Sequence, residues 1–75
     1  MIHTLLVNMD GGAVLKELFL EHIPREGELV QLGLSESTYA VAKIMNMLVD
    51  SQQACGVYLK KVNDSGEVIK NGLLL

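Results

Sequence analysis

Turn-forming residues interrupt this chain so often that no stretch between them is long enough for a bundle of long helices. The interruptions are Asp10-Gly11-Gly12, Pro24 with Gly27, Gly33 followed by Ser35-Glu36-Ser37, Asp50-Ser51-Gln52-Gln53, and Asn63-Asp64-Ser65-Gly66. Gly, Pro, Asn, Asp and Ser punctuate chains for separate physical reasons, from positive φ to side-chain bonds that close a turn. The apolar segments left between them run about 6 to 11 residues, at a spacing of roughly 10 to 15, which is the pattern of a small all-β domain. In a chain of 75 residues this predicts a single domain around one core.

The segments differ in how clearly they read. Ile2 to Met9 reads as a strand, and the glycines at 11 and 12 supply the positive φ that a tight reversal needs. Residues 13–23 fit two periods. As a helix, Val14, Leu15, Leu18, Phe19 and His22 share a face opposite Lys16, Glu17 and Glu21; as a strand, the segment pairs back on the first. Pro24 ends either element. Glu28 to Leu34 alternates, with Val30, Leu32 and Leu34 on one side. Residues 38–49 are again double. Val41, Ile44, Met45 and Leu48 form a helical stripe behind a Ser37 cap, but a strand with a bulge before Ile44 fits as well. Cys55 to Val62 reads as a strand with Cys55, Val57 and Leu59 on one face. A loop at 63–66 then leads to a short last strand around Val68 to Lys70.

The run Ile23-Pro24-Arg25-Glu26-Gly27-Glu28-Leu29-Val30, followed by Tyr39-Ala40-Val41-Ala42-Lys43-Ile44 and Val57-Tyr58-Leu59-Lys60-Lys61-Val62, resembles small bacterial and phage proteins with SH3-like barrels. The resemblance covers roughly residues 1–62 and departs at the longer Gly33-to-Thr38 connection and the extension 63–75. It implies that a Pro-x-x-Gly turn delivers the chain into a central strand, with Tyr39-x-Val41 in the next. It tips both ambiguous segments toward strand. The expected fold is therefore mainly β, a small SH3-like barrel of five to six short antiparallel strands, with the barrel at about 1–62 and a hairpin or tail at 63–75. The alternative is an α+β domain with one or two helices at 13–23 and 38–49 on a small sheet. The resemblance also implies a phage or mobile-element accessory protein as a setting, and it implies no activity.

Composition narrows the function. The chain is 49% apolar with a net charge of -3, so it is expected to fold, and it has no apolar run of the roughly 18 residues that span a bilayer. Met1-Ile2-His3-Thr4 has neither a basic start nor a small-residue cleavage site, so no signal peptide is expected. The lone Cys55 has no internal disulfide partner and fits a reducing cytoplasm. Aromatics are only 4%, namely Phe19, Tyr39 and Tyr58. That shortage argues against a groove for Pro-rich ligands and against a methyl-lysine cage, both of which need aromatic walls.

No constellation of catalytic residues stands out, and an enzyme is not expected. His3 and His22 lack further ligands at zinc spacing, and no metal or cofactor is expected. Cys55 starts an apolar strand and reads as a buried structural thiol, not as half of a Cys/His pair. Glu17/Glu21 and Glu26/Glu28 read as a solvated acidic edge, and Asp10-Gly11-Gly12 lacks the further glycines of a phosphate loop. No small-molecule substrate is indicated.

Apolar surplus is the strongest functional signal, since a domain this small has little interior. Ile44 to Val49 contains one polar residue, and the sequence ends in three leucines. Met45, Met47, Leu48, Leu73, Leu74 and Leu75 are accordingly the candidate protein interface, for a protein partner or for self-association as a dimer. The leucines are expected to dock on a neighbouring subunit or on the barrel itself. The alternative is a small nucleic-acid-associated regulator using Lys43, Tyr58, Lys60, Lys61 and Lys70. It is weakened by a sequence pI of about 5.1, which gives little long-range attraction for phosphate.

Overall fold

The structure, a computed structural model, describes residues 1–33, 37–63 and 73–75. Among these residues every regular element is a strand: β1 (Ile2–Asn8), β2 (Val14–Leu20), β3 (Leu29–Gln31), β4 (Thr38–Val49), β5 (Gln52–Asn63) and β6 (Leu73–Leu74). They form one sheet in the order β2-β1-β5-β4-β3-β6, curled into a half-barrel. The mainly-β expectation holds, and the helices considered at 13–23 and 38–49 are not formed. Among the described residues no helix is long and apolar enough to cross a membrane.

The strand reading wins in both double segments because the ladders offer partners along nearly their whole length. β2 pairs with β1 from Ile2↔Leu20 to Val7↔Val14, with Gly11 and Gly12 at φ of 107° and 80° in the connection. β4 pairs with β5 from Thr38↔Asn63 to Val49↔Gln52, and a register shift between Val41 and Lys43 absorbs the change of period. That shift is the bulge expected before Ile44. A helical stripe and a bulged strand share Val41, Ile44 and Leu48 on one side and differ at Met45, so the partner strand decides.

Two ladders depart from antiparallel pairing: β1 runs parallel to β5, and β3 parallel to β6. Both join strands far apart in sequence, where no tight turn dictates direction. β3 is also shorter than the alternation over 28–34 suggests. It is fed by the turn Arg25–Glu28, in which the Glu28 N–H donates to the Arg25 carbonyl at 3.0 Å and Gly27 sits at φ 85°. A positive φ at the third position makes this a type II turn. The Arg25 N–H donates to the Glu28 carboxylate at 2.9 Å, closing the turn from both sides.

The core lies inside the curl, where Leu6, Val30, Val41, Cys55, Val57 and Leu59 are buried together. Leu15, Leu18, Ile23, Leu32, Tyr39 and Leu75 pack around them. Buried Thr4 donates to the Ile2 carbonyl at 2.9 Å, and no described buried polar side-chain atom lacks a partner. The two edges of the curl approach each other where the Lys16 ammonium donates to the Leu75 carbonyl at 2.9 Å. The last strand expected at Val68 to Lys70 lies outside the described residues.

Candidate protein interface

β4 and β5 are the longest strands, at 12 residues each, and the end of their hairpin past the Asn46↔Cys55 pair extends beyond the core. The β4 residues from Ala42 to Asn46 are exposed, as are Leu48 and the turn residue Asp50, while Met47 and Val49 are half-buried. The cause is topological. β3 covers the outer edge of β4 only at Thr38, Tyr39 and Ala40, and two further bonds tie Val41 to Gly27 and Glu28. Beyond Val41, no described strand pairs with that edge.

The hairpin closes through Asp50 and Ser51, both at positive φ (51° and 66°), which makes a type I′ turn. Alternation then sorts the arm into two faces. Ile44, Asn46 and Leu48 share the side of Cys55 and Val57; Met45 and Met47 share the opposite side with Ala54, Gly56 and Tyr58. Met47 lies across Gly56: a Cβ there would come within 2.7 Å of its sulfur and 3.2 Å of a Tyr58 ring carbon. Glycine at 56 is what lets the methionine lie flat on β5.

Beside the arm, Met1 and Ile2 at the start of the chain are also exposed, and a cleft of about 960 Å³ opens there. Its walls include Ile2, Asn46, Met47, Leu48 and Ala54. Leu48 is 74% exposed and Met1 81%, high values for large apolar side chains in so small a fold. Met47 and Leu48 thus line one cleft, whereas Met45 shares only the Met47 face of the arm. The terminal leucines are elsewhere. Leu73 and Leu74 pair with Val30 and Gln31, the Leu75 N–H donates to the Gln31 carbonyl at 2.7 Å, and Leu75 packs on the core. They dock on their own sheet. Sequence reasoning missed Met1 and Ile2, which the parallel β1–β5 pairing sets beside the arm.

The lysine set divides. Lys43, Tyr58 and Lys60 share the outer face, with the Lys43 ammonium 5.0 Å from the Tyr58 ring centroid. The cation occupies the ring face that a stacked base would need. Lys61 alternates to the other side opposite Tyr39, and Lys70 lies outside the described residues.

Two further titratable groups are held by their surroundings. His3 stacks on Phe19 with ring centroids 5.0 Å apart and hydrogen-bonds the Glu17 carboxylate. Cys55 is buried, and loss of solvation pushes its thiol above the ordinary value, so it stays protonated at neutral pH. His3 pairs opposite Phe19 while its neighbour Thr4 pairs opposite Cys55, so the imidazole and the thiol belong to opposite faces. No three described His, Cys, Asp or Glu side chains are placed to hold a metal ion.

The fold and site define a small curled β sheet carrying an exposed apolar hairpin. Compared with known proteins, the chain matches no family model, and neither a curated protein nor a solved structure is significantly similar to it.

Proposed function

We propose that this chain is a non-enzymatic protein-interaction module whose contact surface is the distal β4–β5 hairpin with Met1 and Ile2 beside it. One observation carries the reading: Ile44 to Val49 holds five apolar residues in six, and its outer edge is paired by no described strand. Large exposed apolar side chains gathered on one projecting element are what a contact site presents. Methionine suits such a surface because its unbranched thioether side chain adapts to the partner's shape. An open strand edge adds backbone donors and acceptors that a partner strand can satisfy. Cys55 and His3 favour no competing chemistry, since the buried thiol is protonated and His3 is engaged with Glu17 and Phe19.

The test is capture from native lysate by the tagged chain, with Met45→Lys/Leu48→Lys as the comparison. A protein or an untagged copy held by the wild type and lost by the variant, with far-UV circular dichroism unchanged, supports the reading. Capture that survives the double substitution, or a wild type that captures nothing, overturns it.

A further inference from the structure

We infer that the occupant of the β4 edge is a second copy of this chain, joined by antiparallel pairing of Ile44–Leu48 about a two-fold axis through Asn46. The inference rests on the interaction reading above and names its partner.

Hydrogen-bond parity fixes which groups face outward. In a two-residue hairpin the residues flanking the turn, Val49 and Gln52, exchange both backbone bonds, and bonded and non-bonded pairs then alternate. Met47 and Met45 therefore bond to β5, while Ile44, Asn46 and Leu48 turn N–H and C=O to the open edge. The same parity, carried across the bulge, turns both groups of Val41 outward. There the Val41 N–H donates to Glu28 and its carbonyl accepts from Gly27, at 2.9 and 2.8 Å.

An antiparallel register centred on Asn46 is the one that uses all three outward residues of both copies. It sets Ile44 opposite Leu48 of the second copy, Met45 opposite its Met47, and Asn46 opposite its Asn46. Every cross-strand pair is then apolar on apolar or amide on amide, on both faces of the joined sheet. The ends agree in charge. The uncharged stretch is bounded by Lys43 and Asp50, and this register sets Lys43 of each copy opposite Val49 of the other and Asp50 opposite Ala42, so no like charges meet. A parallel pairing sets Lys43 against Lys43. The other long edge, β2, carries Lys16 and Glu17 in its centre, the sort of charge that blocks edge pairing. Because both copies use the same edge, the contact closes at a dimer and leaves no further β4 edge to propagate.

The test is a charge swap read by light scattering and sedimentation on the full chain. The wild type is expected at twice the monomer mass. Ile44→Lys and Leu48→Glu are each expected to lower it to the monomer mass, and the double variant to restore the dimer, because each new lysine then faces a new glutamate. As a second measurement, Asn46→Cys is expected to form an intersubunit disulfide under mild oxidation, whereas Met9→Cys does not. A monomeric wild type overturns self-pairing, and so does a folded double variant that stays monomeric. Capture of a different protein through Met45 and Leu48 by a monomeric chain leaves the interaction reading standing and refutes only the choice of partner. A monomer that captures nothing refutes both.

Discussion

Two leucines test whether the half-barrel interior and the hairpin arm are physically distinct. Leu59 is fully buried, paired opposite Asn8 of β1 on one side and Val41 of β4 on the other. Truncation to alanine there loses the transfer free energy of the removed methyls and leaves a void that closely packed neighbours fill only partly. Fully buried leucines lose about 2.7 to 5 kcal/mol in this exchange. A chain of this length has a total stability of roughly 4 to 11 kcal/mol at the usual 0.05 to 0.15 kcal/mol per residue. Leu59→Ala is therefore expected to remove about 3 to 4 kcal/mol, a large part of the whole, and to lower Tm by tens of degrees or prevent folding. Leu48, 74% exposed on the arm, already stands largely in water. Its truncation is expected to stay within about 0.5 kcal/mol. The assay is urea unfolding followed by far-UV circular dichroism at concentrations where each variant is monomeric, since dimerisation couples stability to concentration. A Leu59→Ala loss under about 1 kcal/mol, or a Leu48→Ala loss above that figure, refutes the assignment of interior and arm.

Three further outcomes follow from local geometry. Ser51 holds φ 66° without being glycine, so Ser51→Gly is expected to stabilise the chain by about 1 kcal/mol, measured by the same urea midpoint. Gly56→Ala drives a Cβ against Met47, and the cost, about 1 kcal/mol, is expected to shrink in a Met47→Ala background. Equal costs in the two backgrounds disprove the contact. Burial raises the Cys55 pKa, so the folded thiol keeps its proton at pH values where the unfolded thiol has lost it. Stability from this group is full below the unfolded thiol's range and falls as pH rises through about 8.5. Alkylation by iodoacetamide is expected to be correspondingly slow until the chain unfolds, and stability that increases with pH across that range in the wild type but not in Cys55→Ala contradicts the assignment.

Much of the strand content is legible in the sequence because turn residues and alternation are local. Asp10-Gly11-Gly12 and Arg25-Glu26-Gly27-Glu28 form the reversals their residue types demand, and Cys55, Val57 and Leu59 face the core as their spacing predicts. The bulge before Ile44 is readable as one of two options. Direction and neighbourhood are not readable. The parallel pairings of β1 with β5 and β3 with β6 join residues about 50 and 40 positions apart, and nothing in a local period encodes them. Gln31 is fully buried although a polar residue on an alternating strand reads as solvent-facing.

The same distinction explains the candidate site. A run such as Ile44-Met45-Asn46-Met47-Leu48-Val49 looks alike in sequence whether it fills a core or projects from one. What separates the cases is the length of the neighbouring strand. β3 is only three residues long, so β4 outruns its cover while still bonded to β5 on the other side. The terminal leucines show the converse: equally apolar, they are taken up by the β3 edge that β4 leaves open to them. Apolar content in this chain thus divides by edge supply. Among the described residues one edge is occupied from within the chain, and the other keeps three outward N–H and C=O pairs in a stretch with no charge to repel an identical strand.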